Sequence, residues 1–448
     1  MKKIISVFSG VLMIIFISIP AFSVGLEEYT VDLEKSYQEI VGFGASIAWY
    51  DNFVTGHPNK DEIYDVIFKK LGIDILRLQN WYGKREQVGE HTAEIVEEAE
   101  KSLGHPIDLM ITSWAPPAEL KSNGDVKYGG TLIKENGEYA YDKFAEYWYD
   151  SLLAYEDVGI VPEYISIQNE PDYEADWNSC LFAATETDEL AGYDRALEAV
   201  YNKLYQEMEK PPKMLAPETI GIGYPEFYDY LEAVNLDYIY GIAHHLYRGG
   251  EHSNPTSFRY SMNQLDERYG DVPLFQTEFE RGDNGFKTAW LIHNALTEEN
   301  VEAYLYWDLI WDNGGLVGIE NPWYTAQWRT DKGYYKSDEY YSMKHYSGFI
   351  EPGYKRVDIG GGSNKIKLSA FISPDNKEII IVGINTLILE KEIKIDIPGF
   401  CIDSSRAYKS VFIEGGEKFV ELASLGEGNT VSIPAHSAVT VVIRGSVE

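Results

Sequence analysis

Eight short apolar segments rich in β-branched residues recur along the chain, and segments with helical periodicity separate them. The apolar segments lie at 41–49, 72–79, 106–114, 164–170, 213–218, 238–247, 272–278 and 301–308. The intervening segments, such as 92–103 and 191–209, place apolar residues at helical spacing. Eight strand–helix units in succession predict an α/β fold, a closed (β/α)8 TIM barrel over residues 41–346.

The pattern changes after residue 346. Segments 365–371, 378–384, 391–397 and 438–443 alternate or are continuously β-branched, with turn residues between them. This pattern predicts a fused antiparallel β-sandwich side domain over 347–448. Residues 29–33 also have a strand pattern and precede the barrel, so we expect residues 24–40 to contribute a strand to that side domain.

The amino terminus has the features of a secretory signal peptide. Two lysines precede an apolar run over 4–19, and Ala21-Phe22-Ser23 supplies a small-x-small cleavage site. The apolar run is short for a membrane span. We therefore expect residues 1–23 to be removed and the mature chain to be secreted, extracellular and without membrane association.

The formal net charge of the chain is −34. Such a surface repels nucleic acid and anionic membranes and suits neutral partners, and we expect a monomer. The two cysteines, Cys180 and Cys401, fall in different predicted domains, so no disulfide is expected. No Cys/His spacing of a metal site occurs, and neither a metal nor a cofactor is predicted.

The carboxyl ends of two predicted strands deliver carboxylates to the face where such barrels work. The fourth strand ends at Asn169-Glu170-Pro171, and the seventh ends at Glu278. Two acids from opposite sides of a barrel can straddle a glycosidic bond. We assign Glu170 as general acid/base, Glu278 as nucleophile and Asn169 as a contact to the sugar 2-hydroxyl.

Other strand ends supply supporting groups. Arg77 and Tyr247 are expected to keep Glu278 ionised and oriented, and the charge of Glu278 to raise the pKa of Glu170. Two alternatives stay open: Glu280 instead of Glu278 as the nucleophile, and a purely structural pairing for Arg77. The spacing in sequence does not fix the separation of the two acids, so it does not by itself predict retention of configuration.

Polar and aromatic residues occur at the remaining strand ends: Trp49, Trp114, Glu218, His244, His245 and Trp307. Either histidine could be a core residue or a site residue. The tryptophans could pack in the core or stack on sugars, and stacking is favoured for Trp49 and Trp177 because both follow strand ends.

With these residues assigned, the chain resembles glycoside hydrolase family 30. The matching stretches include "VGFGASIAW", "ILRLQNWYG", "ISIQNEPDY", "HHLY", "QTEFE" and "YWDLIW", with "MKHYSGFIEPGYKRV" and "IPAHSAVTVVI" in the tail. "SWAPPAELKSNG" and "NEPDYEADW" resemble the bacterial xylanase branch, whose typical members are glucuronoxylanases. The resemblance extends over nearly the whole mature chain.

The resemblance implies a barrel with a β side domain, retention of configuration and no cofactor. It implies Glu170 as acid/base and Glu278 as nucleophile. It also implies sugar contacts in the central subsite and its neighbours: Trp114, Asn169, Tyr247 and Trp307 in the central subsite, Trp49 and Trp177 beside it. Supporting positions are Arg77, His245 and Glu218. The predicted substrate is xylan or a xylo-oligosaccharide.

One loop departs from the branch pattern. Typical members bind a glucuronic acid branch with an arginine after the eighth strand, whereas here 307–318 reads "WDLIWDNGGLVG" and carries Asp308 and Asp312. We expect these aspartates to repel a carboxylate. The prediction is an endo-β-1,4-xylanase without a glucuronate requirement, unless Arg248 or Arg281 replaces the missing contact.

Two other classes of function remain. One is another retaining glycosidase of the same fold: a β-1,6-glucanase, a galactanase or an exo-acting enzyme that releases xylobiose. The other is a non-catalytic polysaccharide-binding protein, against which two intact carboxylates and the adjacent asparagine argue.

Overall fold

The structure is a computed structural model that describes residues 26–280 and 284–447, so the predicted signal peptide lies outside the described residues. Eight parallel strands close into a barrel, which confirms the predicted fold class. In chain order these barrel strands are Gly42–Ile47, Ile75–Gln79, Asp108–Thr112, Tyr164–Ser166, Lys213–Gly221, Gly241–Arg248, Leu274–Glu278 and Ala303–Tyr306. The eighth strand pairs with the first and completes the ring.

Helices follow the strands and cover the barrel. They are Asp51–Thr55, Lys60–Tyr64, Thr92–Leu103, Tyr141–Glu156, Tyr193–Glu207, Pro225–Ala233, Arg259–Tyr269, Gly285–Asn294 and Asp338–Ser347. Helix Thr92–Leu103 matches its predicted segment and buries Ile95, Val96 and Ala99, the apolar stripe that its periodicity indicates.

The barrel interior is apolar near the amino ends of the strands and polar near their carboxyl ends. An apolar cluster that includes Ile75, Ala243 and Phe275 fills the lower interior. Because side chains alternate along a strand, Arg77 and His245, two residues beyond Ile75 and Ala243, point into the same interior one layer higher. The strand pattern therefore places the charged residues at the mouth.

Two connections at this mouth carry extra structure. After the third strand, a short hairpin pairs Lys134–Glu135 with Glu138–Tyr139. After the eighth, Ile310–Asp312, Val317–Ile319 and Tyr334–Lys336 form a three-stranded sheet, which we call the eighth-strand sheet. This sheet fixes the course of the chain around the mouth, because backbone pairing replaces an irregular loop.

The tail forms a second sheet of nine strands. In spatial order they are Val420–Leu422, Phe400–Val411, Ser437–Val447, Glu378–Asn385, Ile366–Ile372, Lys355–Gly361, Glu27–Glu39, Lys391–Asp396 and Thr430–Ile433. Strand Glu27–Glu39, from the amino-terminal region, pairs antiparallel with Lys355–Gly361 and parallel with Lys391–Asp396. That parallel pair is an exception to the predicted antiparallel pattern, because the strand inserts between two tail strands. Buried apolar side chains of these strands form a core that is separate from the core of the barrel.

Helix Asp338–Ser347 joins the barrel to the tail sheet through His345. This buried imidazole lies 2.8 Å from Thr440 Oγ1 and 2.9 Å from Ser410 Oγ, both on tail strands. Cys180 is buried and Cys401 exposed, and no disulfide links them. Among the described residues, no helix has the length and apolar character that crossing a membrane requires.

Candidate active site

A pocket of about 1030 Å³ opens at the carboxyl ends of the barrel strands. It brings together eight residues that the sequence predicts: Trp49, Trp114, Asn169, Glu170, Trp177, Tyr247, Glu278 and Trp307. The other three predicted residues, Arg77, Glu218 and His245, are fully buried and contact the two acids or each other beneath the pocket. All eleven predicted positions therefore converge on one mouth.

Glu170 and Glu278 face each other in this pocket. One carboxylate oxygen of each, together with a ring nitrogen of His245, forms a group whose atoms all lie within 4.8 Å of one another. Retaining glycosidases hold their carboxyl groups about 5–5.5 Å apart, whereas inverting enzymes need about 6.5–9.5 Å to admit water. The separation in this chain has the size that direct attack by one carboxylate requires.

Both Glu170 and the neighbouring Glu218 adopt a left-handed backbone, with φ of 45° and 59°. This conformation is unfavourable for residues with a Cβ and tends to occur where function fixes it. The amide of Glu170 donates to the carbonyl of Glu218 at 3.0 Å, so the two strand ends hold each other in place. The turn at Glu170-Pro171 thus ends the fourth strand and presents Glu170 to the pocket.

Glu278 accepts two hydrogen bonds, as predicted from the strand ends. Arg77 Nη1 donates to Oε2 at 2.7 Å, and the Tyr247 hydroxyl donates to Oε1 at 3.1 Å. Glu280 also lines the pocket, and burial with the charges of Glu339 and Glu278 raises its pKa to about 7. Glu278, which accepts from a guanidinium and a hydroxyl, is therefore better placed than Glu280 to act as the nucleophile.

Arg77 links three polar side chains at the base of the pocket. Besides Glu278, its guanidinium lies 3.1 Å from Glu218 Oε1 and donates to Asn169 Oδ1 at 2.6 Å. Burial is the largest single influence and opposes ionisation of Glu218, but the charge of Arg77 together with contributions from His245 and Ser166 outweighs it and lowers the pKa of Glu218 to about 2. The bond from Arg77 orients Asn169, whose amide nitrogen then remains to donate to a ligand.

His245 lies between the carboxylates. Its Nδ1 is 3.0 Å from Glu170 Oε1, and its Nε2 is 3.8 Å from both Glu218 Oε1 and Glu278 Oε2. Burial alone would lower its pKa, but the charge of Glu278, the hydrogen bond to Glu170 and the nearby carboxylate of Glu218 raise it to about 9. The imidazole is therefore a cation at neutral pH. His244, by contrast, points away to the buried Glu299 and is a core residue.

The pKa of Glu170 is raised, although its largest cause differs from the sequence expectation. Burial raises it most, and this outweighs the lowering by the hydrogen bond and charge of His245. The charge of Glu278, the predicted cause, makes a smaller contribution in the same direction. A carboxyl with a raised pKa beside a second carboxyl that accepts from a guanidinium has the arrangement of an acid–nucleophile pair.

Aromatic rings line the rest of the pocket. Trp49 contacts Trp114 at a centroid distance of 5.3 Å and Trp307 at 5.6 Å, and Arg77 lies 4.4 Å from the ring of Trp114. Trp177 is 46% exposed and lies 6.3 Å from Tyr173 at the opposite edge. Flat rings around two acids provide surfaces on which sugar C–H faces can stack.

The loop after the eighth strand differs electrostatically from the expectation. Asp308 lines the pocket but is 2% exposed, and burial, followed by the charges of Glu280 and Glu278, raises its pKa well above the usual range. Burial therefore weakens the repulsion that the sequence predicts from Asp308, whereas Asp312 in the same loop is exposed. Arg248 is absent from the described lining of the pocket and lies near the rings of Tyr173 and Tyr224. Arg281 lies outside the described residues.

Sequence reasoning missed several lining residues: Tyr50, Asp51, Asn52, Phe53, Arg85, Glu90, His91, Tyr173, Ile220 and Trp311. Most belong to connections rather than to strands. The one local signal was the aromatic content of "WYDNF", which follows the first strand directly. Arg85 stacks on Trp81 at 3.7 Å and forms an ion pair with Asp51 at 2.6 Å. The carboxylate of Asp51 therefore neutralises the charge of Arg85 at the side of the pocket.

Glu170, His245 and Glu278 also have the spacing of a three-ligand metal site. However, Arg77 donates to Glu278 at 2.7 Å and adds a positive charge beside the same oxygen atoms. A guanidinium at hydrogen-bond distance competes with a cation for this carboxylate. The donor set therefore suits proton transfer and nucleophilic attack better than metal binding.

Comparison with known proteins places this geometry in a family. The profile described as "Glycosyl hydrolase family 30 TIM-barrel domain" matches residues 73–350. Glucuronoxylanase XynC of Bacillus subtilis (strain 168) is 24% identical over 379 residues, which cover 80% of this chain and 78% of that protein.

Two solved structures share the fold over most of the chain. The catalytic domain of GH30 xylanase C from Talaromyces cellulolyticus superposes with a TM-score of 0.73 at 20% identity, covering 93% of this chain and 100% of the other. The endo-β1,6-glucanase BT3312 has a TM-score of 0.73 at 18% identity, covering 95% and 96%. Their equal scores show that the fold alone does not distinguish between these two specificities.

Proposed function

Because the chain belongs to glycosyl hydrolase family 30 and is therefore a glycosidase, we propose that it is a secreted, retaining endo-β-1,4-xylanase. The observation that carries the retaining mechanism is the placement of Glu170 and Glu278 oxygens within 4.8 Å of each other. The xylan specificity is supported by the "SWAPPAELKSNG" and "NEPDYEADW" stretches and by the similarity to a bacterial glucuronoxylanase.

In the first step, Glu278 attacks the anomeric carbon of the sugar while Glu170 protonates the departing glycosidic oxygen. Arg77 and Tyr247 hold Glu278 in position for attack, at 2.7 and 3.1 Å. The raised pKa of Glu170 keeps its proton available, because burial disfavours the carboxylate form. The bond to the leaving oxygen breaks as the ester to Glu278 forms.

In the second step, the roles of Glu170 reverse. The ester on Glu278 carries no charge, so the electrostatic contribution that it made to the pKa of Glu170 disappears. Glu170 is now a carboxylate and takes a proton from the attacking water, which displaces Glu278. Asn169, oriented by Arg77 at 2.6 Å, donates to the sugar 2-hydroxyl in both transition states.

With His245 as a cation, the net charge of the cluster of Arg77, His245, Glu170, Glu218 and Glu278 is zero in both steps. Before attack, the cations Arg77 and His245 balance the anions Glu218 and Glu278, and Glu170 is neutral. In the ester intermediate the same cations balance Glu218 and Glu170. A buried cluster whose net charge stays at zero avoids the cost of an unpaired charge in either state.

We further propose that the enzyme does not require a glucuronic acid branch. The loop over 307–318 has no arginine, and burial disfavours the charged form of its pocket-lining aspartate, Asp308. A carboxylate on the substrate would find no guanidinium partner in this loop. The enzyme should therefore bind unsubstituted and substituted xylan without a large difference.

A product profile on defined polysaccharides tests this proposal. Linear β-1,4-xylan and glucuronoxylan should be hydrolysed with kcat/KM values that agree within about threefold, and an endo-acting enzyme should release a range of oligosaccharides early. Strong loss of activity on the linear chain would contradict the missing requirement. Arg248→Gln and Arg281→Gln then show whether either arginine supplies a glucuronate contact.

A β-1,6-glucan is included as a second substrate, because the endo-β1,6-glucanase shares the fold to the same TM-score as the xylanase. Hydrolysis of this glucan without hydrolysis of xylan would overturn the xylan specificity and leave the two-carboxylate mechanism intact.

A further inference from the structure

We propose that a continuous line of aromatic rings leads from the catalytic pocket to the exposed Trp323 and binds the distal glycone units of a neutral polysaccharide. The line consists of Trp311, Tyr50, Phe53 and Trp323, and we call it the aromatic track. This inference rests on the proposed glycosidase function and adds to it an outer substrate-binding region.

The rings of the aromatic track follow each other at contact distance. Trp311 lies 6.0 Å from Trp307 and 4.8 Å from Tyr50, measured between ring centroids. Tyr50 lies 4.9 Å from Phe53, which lies 5.4 Å from Trp323. Trp311, Tyr50 and Phe53 line the catalytic pocket, so the track continues the wall of an existing site.

Trp323 is held in place although its ring is exposed. Its side chain is 58% exposed, and one edge packs on Phe53 and close to Gly56 in the segment after the first strand. Its amide donates to Asn321 Oδ1 at 3.0 Å. An ordered aromatic ring with a free face loses little conformational entropy when a ligand stacks on it.

The segment that carries Trp323 is fixed by its own contacts. Glu320 accepts from the amide of Arg329 at 2.7 Å and from the hydroxyl of Thr330 at 2.7 Å. Trp328 stacks on His57 with nearly parallel rings and donates to the Asn321 carbonyl at 2.9 Å. These contacts hold the segment 320–330, which follows the second strand of the eighth-strand sheet, in place at both ends.

The direction of the track identifies which part of the substrate it holds. Glu170 lies in the connection after the fourth barrel strand, and Tyr173 and Trp177 follow it, so the leaving portion of the substrate passes this side. The track starts after the eighth strand, which lies diametrically opposite in the barrel. It therefore holds sugars on the glycone side of the bond that is cleaved.

The chemistry of the track fits an uncharged β-linked chain. Its successive rings meet edge to face, at interplanar angles of 70°, 73° and 85°, so the apolar faces that they offer to a sugar change direction along the track. The net charge of −34 disfavours polyanions. Stacking on such rings recognises the sugar ring itself and needs no charged substituent.

Aryl β-xylo-oligosaccharides with one to five xylose units test the track, because their leaving group is constant and only the glycone side lengthens. In the wild-type enzyme, kcat/KM should rise with length. Trp323→Ala should abolish the gain from the outermost units, a loss of about tenfold on the longest substrate, and leave the shortest unchanged. The matched control is Tyr324→Ala, since Tyr324 is 59% exposed and no ring contact within the described residues joins it to the track.

Each outcome is decisive. If Trp323→Ala matches the wild type on the longest substrate, or loses activity equally at every length, the track has no role in binding. If Tyr324→Ala shows the same length-dependent loss, the effect is not specific to the track. If the wild-type enzyme hydrolyses none of these xylosides, the proposed xylan specificity fails. The same length series built on the sugar that it does cleave then tests the track separately.

Discussion

Two fully buried histidines in this molecule have opposite protonation states. His245 lies at the barrel mouth among Glu170, Glu218 and Glu278, and its pKa is raised to about 9. His345 lies where the barrel meets the tail sheet, and burial with the charge of Lys344 lowers its pKa to about 3. Burial opposes a charged imidazole in both places, so the difference comes from the neighbours.

The hydrogen bonds of His345 identify its tautomer. The Thr440 hydroxyl donates to the backbone carbonyl of His345 at 2.7 Å, so the oxygen at 2.8 Å from Nδ1 accepts from the ring. Nε2 then accepts from the Ser410 hydroxyl at 2.9 Å. A neutral ring that donates once and accepts once satisfies this site, whereas a cation would face a hydroxyl oxygen without a counter-charge.

The comparison shows how one residue type serves two purposes. At the junction, the imidazole of His345 is neutral and hydrogen-bonds to hydroxyl groups, which links the barrel to the tail sheet. At the mouth, carboxylates make it a fixed positive charge. Substitutions at the mouth should therefore affect turnover most, and substitutions at the junction should affect stability and leave turnover intact.

The largest expected effect is at the mouth itself. Glu170→Gln and Glu278→Gln should each lower kcat by at least about 10³-fold, because one removes the proton donor and the other the nucleophile. Thermal unfolding should change little in Glu170→Gln, whereas Glu278→Gln also removes a carboxylate partner of the buried Arg77 and should lower the unfolding temperature. Glu280→Gln is the matched control in the same pocket and should retain activity within about tenfold. A large loss in Glu280→Gln with activity intact in Glu278→Gln would reverse the assignment of the nucleophile.

A smaller effect is expected for His245→Gln, with a kcat lower by about 10²-fold. The cation normally lowers the pKa of Glu170, so its removal should raise that pKa. Glu170 must be protonated to act as the acid, and the alkaline limb of the kcat profile should move to higher pH. His244→Gln serves as control, and an unshifted alkaline limb in His245→Gln would show that His245 carries no charge.

At the junction, the expected effect is on stability. The unfolded chain protonates His345 near its ordinary pKa of about 6.5, but the folded protein does so only near 3. Stability from this group is therefore complete above about pH 6.5 and falls as the pH decreases toward 3, by about 2 kcal/mol at pH 5. His345→Gln should lack this part of the pH dependence when stability is measured by denaturant unfolding. If the free energy of unfolding of His345→Gln still differs between pH 7 and pH 5 as much as that of the wild type, this prediction is wrong.

The contribution of His245 to stability depends on pH in the opposite direction. Its folded pKa of about 9 exceeds the unfolded value, so its contribution to stability is complete below about pH 6.5 and is lost as the pH rises through 9. The two histidines thus limit the stable pH range from opposite sides.

The smallest expected effect is for Thr440→Val, which removes one hydroxyl that both donates and accepts at the junction. It should lower the free energy of unfolding by about 1–2 kcal/mol and leave kcat unchanged. Ser369→Ala is a control in the tail sheet, because its buried Oγ has no hydrogen-bond partner within the described residues. Equal destabilisation by both would argue against a specific role for the link to His345.

Much of the fold follows from local pattern, because strand and helix periodicities are properties of short segments. The eight strands and the helix Thr92–Leu103 are where those periodicities place them. Glu170 and Glu278 could be chosen because each directly ends an apolar run, and barrel closure then brings the strand ends together.

Features that depend on long-range packing could not be read from the sequence. The raised pKa of Asp308 and the leading role of burial at Glu170 arise from residues distant in the chain. The pair His244-His245 gave one usable signal, since strand alternation allows only one of them to face the interior. Which of the two histidines faces the interior depends on the register of the strand. The positions of Phe53 and Trp323 depend on how the connections after the first and eighth strands pack against each other.

The stereochemistry of hydrolysis tests the central claim most directly. Proton NMR of the first product from a β-xylo-oligosaccharide, recorded before mutarotation, distinguishes the two anomers. The two carboxylates with oxygens within 4.8 Å predict the β-anomer, because two displacements restore the original configuration. An initial α-anomer would mean that water attacks directly, and it would contradict Glu278 as the nucleophile.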